Sequence, residues 1–313
     1  MKKITFIIPC FNEEENIFKI HEDIDNTMSK LNHYKFDVIF VDDCSSDNTM
    51  TNLKSLSAKN NNIKFIKLAK NIGSHEAISC GLKKFNGDAA IILAADGQDP
   101  PKISLKLIEF WENNYKIVWG ARKNYKRTLL DSFFSPFYYW LMHKFSNIEM
   151  HKSGADMILI DKIVIDIFNK INEKNSSIWG LISWIGFKQK TIYYDKLERS
   201  FGKSGWTFKK KFKAAIDSFV SFSYMPIKLI SIIGIILSLI SILVVMLLFV
   251  NKFSGGVIFG DVKIQGWTST IILILSIGGF QIFTLGILGE YIWRILDQVR
   301  NRPNHVIEES NFE

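Results

Sequence analysis

The sequence predicts an α/β fold, a mostly parallel sheet flanked by helices, continued by an amphipathic interface helix and two C-terminal transmembrane helices. Three observations carry this reading. Strand and helix signals alternate over residues 4–96, the strand segments are short apolar runs, and beyond residue 226 the chain turns almost wholly apolar. Apolar runs without polar alternation are what strands covered on both faces require. A chain of 313 residues, 47% hydrophobic and 22% charged, has the side chains for a large core and lacks the composition of a disordered protein.

Residues 4–8, Ile4-Thr5-Phe6-Ile7-Ile8, form the first strand signal and meet Pro9. Residues 13–31 read as a helix, 36–41 as a strand ending in Asp42-Asp43, and 47–58 as a helix capped near Ser46 or Asp47. A strand at 63–68, a helix at 74–85 and a strand at 89–94 follow, the last leading to Asp96. In a sheet of this order ligands bind beyond the carboxyl ends of the strands. Pro9-Cys10-Phe11-Asn12, Asp42-Asp43 and Asp96-Gly97-Gln98 all fall at those ends. Residues 100–200 give weaker signals: strands at 117–119 and 157–160 and an aromatic-rich helix at 129–145.

Over residues 207–224, Phe208, Phe212, Ile216, Phe219 and Phe222 recur at helical spacing, with lysines on the remaining face. That pattern predicts a helix lying in the headgroup region of a membrane. Residues 229–250 are an uncharged run of 22 residues, and 267–289 form a second uncharged run. At ~1.5 Å per residue the first reaches about 33 Å, enough for a hydrocarbon core of about 30 Å. Gln281 is a lone polar group in the second run and suits a helix–helix contact.

The formal charge of +8 suits nucleic acid, anionic lipid or a phosphorylated substrate. Its placement favours lipid over nucleic acid. Lys209, Lys210, Lys211 and Lys213 precede the apolar region, and Arg294, Arg300 and Arg302 follow it. Positive flanks on both sides of two spans predict that both flanks are cytoplasmic. The apolar run after Met1-Lys2-Lys3 covers only residues 4–8, too short for a signal-peptide core, which agrees. Cys10, Cys44 and Cys80 are odd in number and widely spaced, against a disulfide framework or a zinc site.

Candidate chemistry lies at the strand ends. Asp42 and Asp43 can accept hydrogen bonds from a base or from ribose hydroxyls. Asp96 and Gln98 offer hard oxygen ligands two residues apart. Magnesium bridging a diphosphate needs only one or two such ligands. An Asp-containing turn before Pro100-Pro101 would look the same.

Taken in order, Pro9-Cys10-Phe11-Asn12-Glu13-Glu14, Val41-Asp42-Asp43-Cys44-Ser45-Ser46-Asp47, Asn71-Ile72-Gly73 and Ala95-Asp96-Gly97-Gln98-Asp99-Pro100-Pro101 resemble one family. It is that of the family 2 inverting glycosyltransferases, of the dolichyl-phosphate mannose synthase and polyprenyl-phosphate glycosyltransferase type. The resemblance continues through residues 180–187, 199–204 and 289–291, nearly the whole chain. It implies a GT-A-like fold and transfer of a sugar from a nucleotide-sugar donor, UDP first, to polyprenyl (undecaprenyl) phosphate with inversion. It also implies Mg²⁺ or Mn²⁺ as cofactor, contact with membrane lipids, no nucleic-acid partner, homo-oligomers and a bacterial inner-membrane location.

By the same resemblance Pro9, Asn12, Glu14, Asp42, Asp43 and Asn71 line the nucleotide pocket, and Asp96 and Gln98 hold the metal. Arg122, Arg127, Arg199 and Lys203 contact the diphosphate or the lipid phosphate, with Arg122, Asp96 and Asp156 in catalytic positions. Asp156 matches an Asp proposed as a base. A phosphate monoester has its second pKa at about 6, so an orienting role stays open. The implied layout is a cytoplasmic catalytic domain 1–206, an interfacial helix 207–226 and spans at 227–251 and 267–292. An external loop 252–266 joins the spans, and a cytoplasmic tail 293–313 follows.

Two positions depart from the family pattern. Ala94 replaces the first Asp of the usual Asp-x-Asp pair, and Gly205 stands where many relatives carry Lys. Ala94 supports one rival reading, a catalytically impaired nucleotide-sugar-binding scaffold. A processive polysaccharide synthase would carry Gln-x-x-Arg-Trp, which is absent, and the Gly-rich, Lys-containing N-terminal loop of a nucleotidyltransferase is absent too.

Overall fold

A computed structural model describes residues 1–123, 140, 142, 144, 155–174, 176–197, 217, 219–223, 225–253 and 267–312. The chain divides into two compact units: Met1–Phe222 with Arg302–Glu313, and Ser223–Asn301.

The first unit is built on one eight-stranded sheet. Its strands are β1 (Lys2–Cys10), β2 (Tyr34–Asp42), β3 (Ile63–Leu68), β4 (Ala89–Ile92), β5 (Ile117–Arg122), β6 (Ala155–Asp161), β7 (Gln189–Tyr194) and β8 (Ile307–Ser310). Their order is β7-β5-β6-β4-β1-β2-β3-β8. β1 pairs in parallel with β2 and β4, β2 with β3, and β5 with β7. β6 runs antiparallel between β4 and β5, and β8 antiparallel along β3. The sheet is thus mostly parallel, as the sequence predicts.

Helices cover both faces. On one, α1 (Ile17–Met28), α2 (Thr49–Lys59) and α4 (Ile103–Glu112) bury Ile20, Ile24, Leu53, Leu107 and Trp111 against Phe6, Ile8 and Phe40. On the other, α3 (Ser74–Lys83), α5 (Lys162–Phe168) and α6 (Ile178–Trp184) bury Ile78, Leu82, Val164, Phe168 and Ile182 against Ile7, Ala90 and Ile92. Successive residues of β1 therefore feed opposite cores, which explains its unbroken apolar run. Gly81 lets α3 approach closely: a Cβ there would lie 2.6 Å from Ile7 Cγ2.

Several boundaries differ from the sequence reading. The first helix begins at Ile17 rather than 13: the Glu13 and Glu14 amides bond side chains of the loop after β2, and Glu13 to Asn16 close a turn through the Asn16 amide and the Glu13 carbonyl. The second begins at Thr49, and Asp47 Oδ1 accepts from the Thr49 amide. The fourth strand ends at Ile92. Residues 307–310, expected to lie in a tail, form β8 on the free edge of β3. Most of the predicted helices at 129–145 and 207–224 lies outside the described residues, although residues 217 and 219–222 are helical.

The second unit holds α7 (Met225–Phe253, 29 residues) and α8 (Trp267–Val299, 33 residues). The window Met225–Val244 is long and apolar enough to cross a membrane, with mean hydropathy 2.7. Most of its described side chains lie exposed, Leu239 by 61% and Ile235 by 60%.

Candidate functional site

The carboxyl ends of β1 and β2 meet at Cys10 and Asp42, in register with each other. Pro9 lies within β1 opposite Val41. The loops that follow lock together through side chains. Asn12 takes a left-handed conformation, φ 55°, and its Oδ1 accepts from the Ser46 amide at 2.9 Å and the Ser46 hydroxyl at 3.3 Å. The Asn12 amide in turn donates to Ser45 Oγ at 2.9 Å. Glu14 Oε2 accepts from the Asn48 amide at 2.8 Å, and the Glu14 amide donates to Asp47 Oδ2 at 3.2 Å. The Glu13 amide donates to Thr49 Oγ1 at 2.8 Å. Asn is among the few residues that tolerate φ > 0, so Asn12 can turn the chain and bond across it.

Asp42 is fully buried, accepts from the Ser45 hydroxyl and accepts from the Ser45 amide at 3.2 Å. Asp43 is also buried; its two carboxylate oxygens accept from the Ile72 and Gly73 amides, each at 2.8 Å. Asn71 Nδ2 donates to the Asp43 carbonyl at 3.2 Å. Burial raises both carboxyl pKa values, and these hydrogen bonds act against that rise. Each carboxylate oxygen has a second lone pair, so neither acceptor is exhausted. Pro9, Asn12, Glu14, Asp42, Asp43 and Asn71, the residues expected to line a nucleotide pocket, thus lie together at one end of the sheet, on the ends of β1 and β2 and the loops that follow.

Asp96 follows β4 at the same edge and is buried. Its Oδ1 accepts from the Gln98 amide at 3.2 Å, across Gly97, whose φ is 69°. Gln98 Nε2 donates to the Leu197 carbonyl at 3.4 Å, leaving Oε1 as the side chain's acceptor end. The Leu197 amide bonds the Gln98 carbonyl at 2.9 Å. β6 runs antiparallel and begins at this edge, since Ile158 pairs with Ile92, so the backbone of Asp156 comes to the site. Arg122 ends β5 opposite Tyr194. The Asp156 side chain, Arg127, Arg199 and Lys203 lie outside the described residues.

A divalent ion fits this donor set in one form only. Among the described residues no group of three or more His, Cys, Asp or Glu could hold a metal ion. Asp96 and Gln98 supply one charge and two hard oxygens, which suits an ion sharing its shell with water and a substrate diphosphate.

Sequence reasoning missed Asp99. It is fully buried, accepts from the Tyr194 hydroxyl at 2.5 Å and lies 3.4 Å from Lys196 Nζ. These contacts stitch the Asp96–Asp99 turn to the end of β7. The signal was the Asp that follows Gln98, which the Ala95–Pro101 motif includes without a role of its own. Ser45, Asp47 and Thr49 were also missed as lock residues, although a Ser/Asp/Thr-rich loop after a strand is the composition that such locking uses.

Residues 5–165 match the family described as Glycosyl transferase family 2, about half of the chain. The chain belongs to this family. The glycosyltransferase activity expected from the motifs therefore holds. Similar full-length proteins include CsbB of Bacillus subtilis, a provisionally named glycosyltransferase, 32% identical over 99% of this chain and 92% of that protein. The SfII prophage-derived bactoprenol glucosyl transferase of Shigella flexneri is 29% identical over 99% of this chain and 98% of that protein. Among solved structures, mannosyl-3-phosphoglycerate synthase from Rubrobacter xylanophilus aligns at 12% identity and TM-score 0.48, covering 69% of this chain and 71% of that one.

Proposed function

We propose that this family 2 glycosyltransferase moves a sugar from a nucleotide-sugar, UDP-linked in the first instance, onto polyprenyl (undecaprenyl) phosphate with inversion, at the cytoplasmic face of a bacterial inner membrane. One observation carries the membrane part of this reading. The chain leaves the sheet unit after Phe222 and rejoins it at Arg302, with only α7 and α8 described between. For an excursion into a membrane, a unit with segments on both sides of it requires an even number of crossings; α7 and α8 would supply two, and the Met225–Val244 window of α7 is the one described stretch that qualifies as a span by length and hydropathy. At ~1.5 Å per residue both helices exceed a hydrocarbon core of about 30 Å. The full-length similarity to proteins named bactoprenol glucosyl transferase supports the lipid acceptor.

The reaction is a single in-line displacement. An oxygen of the lipid phosphate attacks the anomeric carbon, the bond to the diphosphate breaks on the opposite face, and the nucleoside diphosphate leaves with the electron pair. No covalent enzyme intermediate forms. Asn12, Glu14, Asp42, Asp43 and Asn71 shape the donor pocket. Asp96 and Gln98 would hold Mg²⁺ or Mn²⁺, which neutralises charge on the departing diphosphate when bound. Arg122, Arg127, Arg199 and Lys203 meet the phosphates: Arg as a planar fork, Lys as a point charge. Asp156 orients the acceptor. Positioning and charge stabilisation account for the rate.

The test is transfer of radiolabelled sugar from a panel of UDP- and GDP-sugars into extractable lipid, using purified protein, undecaprenyl phosphate and Mg²⁺ or Mn²⁺. Transfer from one donor that vanishes in Asp96→Ala supports the reading. No transfer from any donor, with nucleotide binding intact, favours the scaffold that Ala94 allows. Restoring Asp at Ala94 then separates the two: a rise from zero marks the natural chain as impaired.

A further inference from the structure

The segment after α8 does more than close the sheet. Pairing of β8 with β3 joins Ile307 to Leu68, Glu309 to Lys67 and Ser310 to Ile66. Just before it, the Val306 carbonyl accepts from the Ala69 amide at 2.9 Å, and Asn304 bonds the Glu76 carboxylate on α3. Beyond it, Asn311 Oδ1 accepts from the Phe65 amide at 2.7 Å, and Asn311 Nδ2 donates to the Ile63 carbonyl at 3.2 Å. Glu308 pairs with Lys67 at 2.8 Å and Glu309 with Lys54 at 2.7 Å. Ile307 and Phe312 pack on the cluster of Ile39, Val41, Ile66, Leu68, Ala77 and Cys80.

These contacts converge on one short stretch. β3 ends at Leu68, the strap holds Ala69, and residues 71–73 then cradle Asp43 through the Ile72 and Gly73 amides and the Asn71 side chain. Glu76, on the far side of this loop, opens α3 and is held by Asn304. The loop is therefore pinned at both ends by residues distant in sequence. Those pins add to the Asp43 bonds and to the packing of Ile72 on Ile39, Val41 and Ile66 in fixing a five-residue connection that carries Gly73 at φ 97°.

We propose that residues 304–312 form a positioning strap for the donor pocket: they set the 69–73 loop, and through it Asp43, in the geometry that binds the nucleotide. This rests on the assignment of Asp43 to the donor pocket. Because the strap follows α8 directly in sequence, nucleotide affinity depends on a segment that the catalytic motifs do not include.

The experiment uses the full chain in detergent, with residues 304–312 replaced by a Gly/Ser run of equal length. Binding of UDP and GDP, each with Mg²⁺, is measured by calorimetry, and KM is measured separately for donor and lipid. The strap predicts a rise of roughly tenfold in nucleotide Kd and donor KM, the scale of typical site-to-site coupling, with lipid KM unchanged. A synthetic peptide of residues 303–312, added in excess, restores the affinity. Asn311→Ala, which leaves β8 in place, gives a smaller shift in the same direction and serves where the replaced chain does not fold. Unchanged nucleotide affinity, or equal loss toward donor and lipid, overturns the strap. Asp43→Ala separates the two levels: if it weakens nucleotide binding and the strap variants do not, only the strap fails. If Asp43→Ala has no effect, the donor-pocket assignment falls and the strap with it.

Discussion

His75 gives a stability prediction whose size follows from its surroundings. It lies in the first turn of α3, its ring edge-on to Trp179 at 5.9 Å between centroids. Burial lowers its pKa from 6.5 to about 4, and the positive end of the helix acts in the same direction. The folded protein thus holds a neutral imidazole while the unfolded chain takes a proton below pH 6.5. Stability from this source is complete above 6.5 and is lost as pH falls from 6.5 toward 4. The full shift corresponds to about 3 kcal/mol at ~1.4 kcal/mol per unit. The interval from pH 7 to pH 5 stops short of the folded-state pKa and takes in about 1–2 kcal/mol of this. His75→Phe keeps a ring against Trp179 and removes the titration. Urea unfolding of the detergent-solubilised protein at both pH values reads the effect as a slope, so a constant offset from the substitution does not matter. The natural protein loses about 1–2 kcal/mol more than the variant over this interval. Equal slopes would refute the claim that burial holds His75 neutral.

Other expected outcomes follow from single contacts. Gly81→Ala drives a Cβ to 2.6 Å from Ile7 Cγ2, and thermal melting should show a loss of about 1–3 kcal/mol. Asp99→Ala leaves the Tyr194 hydroxyl and Lys196 facing a buried gap and should cost about 3–5 kcal/mol by denaturation, whereas Tyr194→Phe should cost about 1 kcal/mol. Gln98→Ala should weaken the metal dependence of transfer and leave nucleotide affinity in the absence of metal unchanged, as titration with Mn²⁺ would read. Cysteines introduced at exposed positions 19 and 302, in a background with Cys10, Cys44 and Cys80 replaced, should be labelled from the same side of sealed vesicles.

The sequence was legible where local pattern and long-range structure agree. β1 to β4 and their helices were readable because their apolar runs are continuous and end near Pro9, Asp42 and Asp96. Asp42, Asp43 and Asp96 stood out as candidates for the same reason: charge at the end of an apolar strand is conspicuous. What pins them was less visible. Ser45 and Thr49 act through backbone amides 33 and 36 residues away, and no local spacing records that. β8, Ile307-Glu308-Glu309-Ser310, has two adjacent acids and no strand signal of its own; the free edge of β3 makes it a strand. The reversal of β6 was equally silent, since antiparallel and parallel neighbours leave the same apolar run. By contrast α4 was readable, with Ser104, Leu107, Ile108 and Trp111 at helical spacing, and was passed over.

The most direct measurement is release of nucleoside diphosphate by the purified protein with and without undecaprenyl phosphate, counted against sugar recovered in lipid. The account predicts release that depends on the lipid phosphate, one diphosphate for each lipid-linked sugar, and none with the corresponding lipid alcohol. Release that proceeds at the same rate without lipid phosphate, or that builds sugar onto another acceptor, would contradict it.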